Sequence, residues 1–242
     1  MANDTNNCLK SCRKLCLEPE MLVAIDTSTQ WIGLALYDGV QILAEHNWRS
    51  QNYHTIELVP AIADMLAKCQ VKPSQLTGIG VALGPGSFTG LRIGLSAAKG
   101  LALGQNLPIA GVPSLEVLVA SQPGLRRPMI AMLKVGRGRF AWARFRYSRP
   151  SWGQITETQV DDIKTIAASI TSPVYVVGEI GAEDRQVMGR KWKTSQLAPA
   201  SLCVRRASVL AELAWQKLQD GHADDIVSLS PIYVHTLSNV PD

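Results

Sequence analysis

The chain has 242 residues, of which 46% are hydrophobic and 18% charged, and its formal net charge is +4. This composition is typical of a globular protein with one two-lobed domain or two small ones, and it excludes a disordered chain. Because no apolar run approaches the ~20 residues of a membrane span and the first twenty residues lack the apolar core of a signal peptide, we expect a cytoplasmic protein.

Residues 1–20 are predicted to be a disordered extension ahead of the first strand. Within this extension, Cys8, Cys12 and Cys16 repeat every four residues. The chain has five cysteines, an odd number, and a protein of this size does not need disulfides. A metal site on a short helix is one interpretation of the spacing, and a solvated tail is the favoured one.

The first lobe is predicted over residues 21–122. Its first strand ends in the polar corner Asp26-Thr27-Ser28-Thr29, and Asp38-Gly39 is a strong hairpin signal. The corner suits a phosphate loop, although a turn rich in hydrogen-bonding side chains explains it equally well. The predicted elements are strands at residues 22–25, 31–37, 40–48, 76–83 and 108–112, and helices at residues 55–69, 88–104 and 114–120, with Thr55, Ser87 and Ser114 as their caps.

The stretch that organises the first lobe is the glycine turn Gly84-Pro85-Gly86-Ser87, between a buried strand and a helix. Ser87 is placed to cap that helix. A strand, a glycine turn and a capped helix direct free backbone N–H groups at one point, which is a natural anion site. The predicted phosphate-loop-like residues are Asp26, Thr27, Ser28, Thr29, Gly84, Gly86 and Ser87.

Two successive helices, at residues 55–69 and 88–104, have little polar surface. An exposed helix should be polar over roughly half its circumference, and each interior glycine costs about 1 kcal/mol relative to alanine. The several glycines of helix 88–104 therefore indicate that another backbone comes close. A core helix is the simpler interpretation of this pattern alone, but two such helices favour an interface with a partner protein.

The second lobe is predicted over residues 123–242, after a boundary at Ser121-Gln122-Pro123-Gly124. Its predicted strands are at residues 129–133, 140–147, 155–160 and 174–177, and its helices at residues 161–170 and 208–219. Both lobes begin with paired strands and then alternate helices with strands. We therefore expect an α/β fold in which two lobes of mixed sheet are a loose structural duplication.

A basic segment lies in the second lobe. Residues 126–149 contain eight lysines and arginines and no acidic residue. Strand alternation places Phe140 and Trp142 on one face with Arg144 and Arg146, and exposed aromatic and arginine side chains suit RNA. An ordinary solvated basic face is the alternative. The candidate RNA contacts are Arg137, Arg139, Arg144 and Arg146.

The sequence contains no recognisable catalytic or metal-binding motif. The four histidines are scattered, and no two lie at helical i, i+4 spacing. Pro85 and Thr89 stand where the two glycines of an esterase elbow would be. We therefore predict no catalytic residue and no metal ligand.

Three motifs resemble the TsaB (YeaZ) family of bacterial proteins: residues 22–29, residues 54–60 and residues 84–94. The resemblance implies an actin-like ATPase fold with two ribonuclease-H-like lobes. It also implies a non-catalytic scaffold that pairs with the catalytic paralogue TsaD and, through it, acts with the ATPase TsaE. Together they transfer a threonylcarbamoyl group from threonylcarbamoyl-adenylate to N6 of adenine 37 in tRNAs that read codons beginning with A.

The resemblance further implies that the two helices poor in polar surface bind TsaD, and that this chain holds no nucleotide tightly although the complex uses ATP and threonylcarbamoyl-adenylate. A homodimer in the absence of TsaD is an open alternative. Residues 114–118 lack the metal-binding histidines of TsaD. The predicted interface residues are Ile56, Val59, Ala63, Phe88, Leu91, Arg92, Leu95 and Lys99.

The chain departs from the family at the turn of the second lobe. Lys134 and Arg139 stand where acidic residues are usual, which favours an RNA contact or an altered partner there. A metallopeptidase and a small-molecule kinase are the alternative functions. The kinase would need a catalytic aspartate, and Asp161 and Asp162 are the acids near enough in order, although both suit a helix N-terminus.

Overall fold

The computed structural model describes residues 20–51, 54–191 and 193–234, so the prediction for Cys8, Cys12 and Cys16 lies outside the described residues. The described chain forms two mixed β-sheets, each flanked by helices. Within these ranges, no helix combines the length and apolar character needed to cross a bilayer.

The first sheet has five strands in the order β3-β2-β1-β4-β5. Strand β1 pairs antiparallel with β2 and parallel with β4. All six residues of β1 are buried, because helices cover both faces of the central strands. The strands are β1 (Met21–Asp26), β2 (Trp31–Tyr37), β3 (Ile42–Arg49), β4 (Leu76–Gly84) and β5 (Ile109–Pro113).

Three helices follow within the first lobe: α1 (His54–Lys68), α2 (Phe88–Gln105) and α3 (Ser114–Ala120). Helices α1 and α2 pack on one face of the sheet through a shared apolar core. The predicted cap of α2 is confirmed, since Ser87 Oγ accepts a hydrogen bond from the Gly90 N–H at 3.3 Å. The cap predicted at Thr55 is wrong, because α1 already includes His54.

The second sheet follows the order β11-β10-β6-β7-β8, and β9 pairs with the first half of β7. The predicted strand at 155–160 is wrong, since β8 and β9 lie on either side of a loop. The predicted helix at 161–170 begins only at Ile163, because Asp162 caps it. The elements are β6 (Met129–Gly136), β7 (Arg139–Ser148), β8 (Ser151–Gln154), β9 (Gln159–Asp162), α4 (Ile163–Ala168), β10 (Val174–Gly178), α5 (Ala182–Gly189) and β11 (Ser195–Leu197).

The expected structural duplication is confirmed by the strand pairing. In each lobe an antiparallel pair comes first, β1 with β2 and β6 with β7. Two parallel strands are then added on the other side of the first strand, β4 and β5 in one lobe and β10 and β11 in the other. The two sheets therefore have the same order of strands.

The last part of the chain returns to the first lobe. Helix α6 (Ala207–Gln219) covers the second face of the first sheet, where Leu210 and Ala214 pack against β1 and its neighbours. Assigning residues 123–242 to the second lobe is therefore wrong for residues 207–234. The small side chains of that sheet face need a covering helix, and α6 supplies it.

Residues 225–234 form a C-terminal strap that runs along α2. Ile226 and Leu229 of the strap pack against the first-lobe core. The Ile232 N–H donates to the Leu83 carbonyl oxygen at 2.7 Å, and Lys99 Nζ donates to the Val227 carbonyl oxygen at 3.2 Å. The strap is thus tied to the end of β4, just before the turn that starts α2, and to the helix itself.

Candidate functional site

The polar corner after β1 and the glycine turn after β4 are in direct contact. The Ser87 N–H donates to the Ser28 carbonyl oxygen at 2.6 Å, and Thr27 Oγ1 donates to the Gly90 carbonyl oxygen at 2.7 Å. A Cβ atom on Gly86 would overlap the Ser28 carbonyl group. The seven phosphate-loop-like residues are therefore brought together, but the two segments pack against each other with no space for a phosphate between them.

The hydroxyl groups of this corner are satisfied by neighbouring protein groups. Ser28 Oγ donates to the Asp26 carboxylate, and Ser114 Oγ donates to Ser28 Oγ at 2.9 Å. Ser114 Oγ also accepts from the Gly84 N–H at 3.1 Å. The prediction of Ser114 as a helix cap is wrong, because its hydroxyl joins β4 to the corner instead. Buried polar groups are expected to be paired in this way.

Arg205 is the centre of the site, and sequence reasoning missed it. Its side chain is only 2% exposed, and Nε donates to Asp26 Oδ2 at 2.7 Å. Nη1 pairs with Glu179, and Nη2 donates to Thr29 Oγ1 at 3.1 Å. Asp26 belongs to the first lobe and Glu179 follows β10 of the second, so Arg205 joins the two lobes. The carboxylate of Asp26, which ends a wholly apolar strand, was the one signal that a buried cation is needed.

Within this cluster, Asp26, Arg205 and Glu179, the electrostatics of Asp26 and Arg205 favour the charged forms of those two groups. Burial by itself raises the pKa of Asp26, but the positive charge of Arg205 and hydrogen bonds from Arg205 and Ser28 lower it below its usual value. Burial by itself lowers the pKa of Arg205, and the carboxylates of Asp26 and Glu179 raise it. Asp26 and Arg205 therefore form an internal ion pair.

A cavity of about 490 Å³ lies beside the cluster, between the lobes. Thr29, Ser87, Lys134, Glu179 and Arg185 are among its lining residues. Lys134 forms an ion pair with Asp184 at 3.6 Å. Within the described ranges, no group of three or more His, Cys, Asp or Glu side chains is placed to hold a metal ion. The cavity can receive a polar molecule, but its carboxylate Glu179 is already engaged by Arg205.

The two acids considered for a kinase have structural roles. Asp162 Oδ1 accepts hydrogen bonds from the backbone N–H groups of Lys164 and Thr165 at 2.8 and 2.9 Å, as the helix-terminus interpretation expects. Asp161 Oδ2 accepts from the indole of Trp142 at 2.9 Å. Asp161 lies in β9 and not in a helix.

The predicted partner surface is partly exposed and partly core. Ile56, Val59 and Phe88 are 69%, 60% and 53% exposed, and Ala63 and Arg92 are also exposed, whereas Lys99 is half-buried. Leu91 and Leu95, however, are 1% and 6% exposed. Placing these two leucines in a partner interface is therefore wrong, because they pack inside the first lobe. We use "the α1/α2 face" for Ile56, Val59, Ala63, Phe88 and Arg92.

The strap meets the α1/α2 face at Phe88. The rings of Phe88 and Tyr233 have centroids 5.0 Å apart, and Arg92 Cζ lies 3.8 Å from the Phe88 centroid. Arg92 Nε also donates to the Tyr233 hydroxyl at 3.1 Å. Phe88 is thus held between a cation and a second ring while more than half of its surface stays in water.

The four arginines predicted to contact RNA do not lie together. Arg137 and Arg139 lie at the turn between β6 and β7, whereas Arg146 lies near the other end of β7, about 24 Å away by strand geometry. Arg144 donates to the Ser169 carbonyl oxygen at 2.8 Å. The expected aromatic surface is wrong, because Phe140 and Trp142 are buried under α4 and α5.

Glu45 of β3 attaches the start of α6 to the first sheet. It accepts hydrogen bonds from Arg206 Nε and from Ser208 Oγ, all at 3.0 Å. Burial alone raises the pKa of Glu45, but these hydrogen bonds outweigh it and lower the pKa from 4.5 to about 2. A lowered folded-state pKa contributes stability above pH 4.5 that is lost as the pH falls towards 2.

We expect a Glu45→Gln variant to show a weaker loss of stability between pH 4.5 and pH 2 than the wild type. The free energy of unfolding, measured in urea at a series of pH values, tests this. An Asp64→Asn variant is the control, because Asp64 pairs with Lys68 at an exposed position. Parallel pH profiles for the wild type and the Glu45 variant would contradict the assignment.

Comparisons with known proteins match the chain to a TsaD family model and to TsaB proteins. A family model described as "TsaD: tRNA N6-adenosine threonylcarbamoyltransferase" matches residues 43–227. The TsaB protein of Bacillus subtilis is 41% identical over 100 residues, which are 41% of this chain and 44% of that protein. The TsaB protein of Haemophilus influenzae is 25% identical over 224 residues, which are 88% of this chain and 92% of that protein.

Solved structures show the same fold. YeaZ from Pseudomonas aeruginosa matches with a TM-score of 0.71 at 23% identity, over 89% of this chain and the whole of that one. The ethanolamine utilization protein EutJ from Carboxydothermus hydrogenoformans matches with a TM-score of 0.51 at 17% identity, over 82% of this chain and 92% of that one. The predicted actin-like ATPase fold with two ribonuclease-H-like lobes is confirmed, and the chain belongs to the TsaB (YeaZ) family.

Proposed function

We propose that this chain acts in the synthesis of threonylcarbamoyladenosine in tRNA, as a non-catalytic subunit that pairs with a TsaD transferase. The names of its relatives, TsaB biosynthesis proteins and tRNA N6-adenosine threonylcarbamoyltransferases, support the process. In this pair, TsaD carries out the transfer of the threonylcarbamoyl group to N6 of adenine 37. TsaE and the tRNA then join through the pair, in the cytoplasm.

The observation that carries this proposal is the α1/α2 face. Ile56, Val59 and Phe88 each expose more than half of their apolar surface on two helices that rest on a well-packed core. A surface patch formed by such side chains would mark a protein interaction site. The same face would pair two copies of this chain when TsaD is absent, so self-pairing and pairing with TsaD compete.

The Arg205 cluster supports the non-catalytic part of the proposal. The corner and the glycine turn suit a phosphate loop, but here Arg205 neutralises Asp26 and their hydroxyl groups are engaged by the protein. A nucleotide would have to displace these contacts to reach the corner. We therefore assign ATP and threonylcarbamoyl-adenylate to the assembled complex and no tightly bound nucleotide to this chain.

We expect a Val59→Glu substitution to weaken pairing with TsaD by about 30-fold or more, because a charge would be buried in an apolar contact. Pairing is measured by titrating labelled chain with TsaD. Modification is measured as threonylcarbamoyladenosine formed from tRNA, threonylcarbamoyl-adenylate, TsaD and TsaE. Both readouts should fall together.

Val40→Glu is the matched control, since Val40 is 83% exposed in the turn before β3, away from the α1/α2 face. It should pair and support modification like the wild type. If Val59→Glu paired as tightly as Val40→Glu, or if modification proceeded equally well without this chain, the proposal would be wrong. Leu95→Arg is unsuitable for this purpose, because it would disrupt the core instead.

A further inference from the structure

The positive charge of the chain is concentrated in the second lobe. Residues 123–204 contain thirteen lysines and arginines and six acidic residues, whereas the rest of the chain contains eleven basic and fourteen acidic residues. The net charge of +4 is therefore the sum of +7 in residues 123–204 and −3 in the rest of the chain. A polyanion would approach the second lobe first.

Strand register places many of these charges at one end of the second sheet. Met129, at the start of β6, pairs with Phe145 of β7 and with Tyr175 of β10. Val174 pairs in turn with Ser195, at the start of β11. The segments before β6 and β11 therefore lie at the same end of the second sheet as the hairpin between β7 and β8. The exposed basic residues there are Arg126, Arg127, Arg146, Arg149, Arg190 and Lys191, which we call the basic end.

Two contacts confirm that the segments of the basic end are neighbours. Arg127 Nη1, ahead of β6, donates to Gln196 Oε1 of β11 at 2.8 Å. The Val174 N–H donates to the Thr194 carbonyl oxygen at 2.8 Å. Five adjacent strands span about 20 Å at the usual strand spacing. The basic end is therefore broad enough to contact several consecutive phosphates of a nucleic acid.

The acidic residues of the lobe lie mostly at the opposite end. Asp161 and Asp162 pair with the start of β7, and Glu179 follows the end of β10. Glu183 and Asp184 occupy the first turn of α5, which begins beside Glu179. Among the described residues, none of the six members of the basic end takes part in an ion pair. Their charge is therefore available to a ligand.

A pair of aromatic rings accompanies the basic end. Tyr147 and Trp152 lie opposite each other on β7 and β8, with ring centroids 5.4 Å apart, and both are half-buried. The Tyr147 ring also packs on Gly124, two residues before Arg126. Arginine forks bind phosphate in a bidentate manner, and exposed ring faces stack on unpaired bases.

We propose that the basic end is a tRNA-binding surface, a proposal that rests on the function proposed above. Five of its six members are arginine, and two half-buried aromatic side chains lie beside them, which favours RNA over an acidic protein or an anionic membrane. The surface lies away from the turn at Arg137 and Arg139, so of the four candidate RNA contacts that the sequence pattern indicates it includes only Arg146. It would hold the tRNA backbone while TsaD acts on the adenine.

The test compares two triple variants with the same change of charge, each in complex with TsaD. One variant carries Arg146→Gln, Arg149→Gln and Arg190→Gln at the basic end. The control carries Arg49→Gln, Lys72→Gln and Lys164→Gln, at exposed positions elsewhere. Binding of fluorescently labelled tRNA is followed by anisotropy at 50 to 200 mM salt, and pairing with TsaD is checked by size-exclusion chromatography.

We expect the basic-end variant to bind tRNA at least about tenfold more weakly, and the slope of log K against log salt to fall by about two to three. The control should stay within about twofold of the wild type. Equal binding by the two variants would overturn the inference, while intact pairing with TsaD would leave the proposed function standing.

Vesicles containing phosphatidylserine and a polyglutamate peptide are the further arms of the experiment. Binding of either with the same affinity as tRNA, and with the same sensitivity to the basic-end substitutions, would also overturn the inference. Failure of the chain to pair with TsaD would instead count against the proposed function. In that event, tRNA binding by the isolated chain and its two variants still decides the role of the basic end.

Discussion

An Arg205→Met variant should lose about 3–5 kcal/mol of unfolding free energy at pH 7, because it leaves the buried carboxylate of Asp26 without its cation. Methionine fills a similar volume, so the loss reports charge more than a cavity. Asp26 and Arg205 are 4% and 2% exposed in their ion pair, and water cannot replace the missing partner. Urea denaturation at constant pH measures the difference.

The pH dependence distinguishes this effect from a simple packing defect. In the wild type, the lowered pKa of Asp26 means that stability is lost as the pH falls through the acidic range. In the variant, burial without a counter-charge raises the pKa of Asp26, so the folded state takes up a proton and stability should rise as the pH falls from 7 to 5. A second variant that adds Asp26→Asn should recover part of the loss. A fall in stability over that range would contradict the account.

Two glycines of the same helix should respond in opposite ways to alanine. A Cβ atom on Gly90 would overlap the Thr27 carbonyl oxygen, a backbone atom that the buried corner holds in place. We expect Gly90→Ala to lower the unfolding free energy by about 1–3 kcal/mol, the usual cost of overpacking. Gly100, by contrast, has no atom within 4 Å of the position of an added Cβ.

Gly100→Ala should therefore raise the unfolding free energy by about 0.5–1 kcal/mol, because alanine restricts the unfolded chain and favours the helix. Thermal unfolding of both variants by circular dichroism tests the pair. Destabilisation by both substitutions would mean that helix α2 tolerates no change, and stabilisation by both would mean that the contact between Gly90 and Thr27 is not tight. Either result would contradict the packing described above.

The glycines of α2 show which contacts the sequence pattern can predict and which it cannot. Their number correctly indicated the close approach of another backbone, and for Gly90 that backbone is the Thr27 corner of the same chain. The pattern could not say whether the neighbour belonged to this chain or to a partner. Helical periodicity likewise groups Phe88 with Leu91 and Leu95, but only the position of the sheet decides that the leucines are core.

The strands show the same limit. Alternation places Phe140, Trp142, Arg144 and Arg146 on one face of β7, and the bounds of β2 match the predicted residues 31–37. Whether a face is covered depends on helices that come later in the chain, here α4 and α5. Arg205 lies 179 positions from Asp26, so no local pattern could connect them. Local periodicity could predict the elements of the first lobe but missed β8, α5 and β11 of the second, and long-range pairing determined the site.

The C-terminal strap ties the end of the described chain to the proposed docking surface. Tyr233 rests on Phe88 and accepts a hydrogen bond from Arg92, so the last described residues border the α1/α2 face. A subunit that covers Phe88 must therefore either contact Tyr233 or displace it, and displacement would also release the strap from α2. Docking strength would then depend on the strap as well as on the two helices.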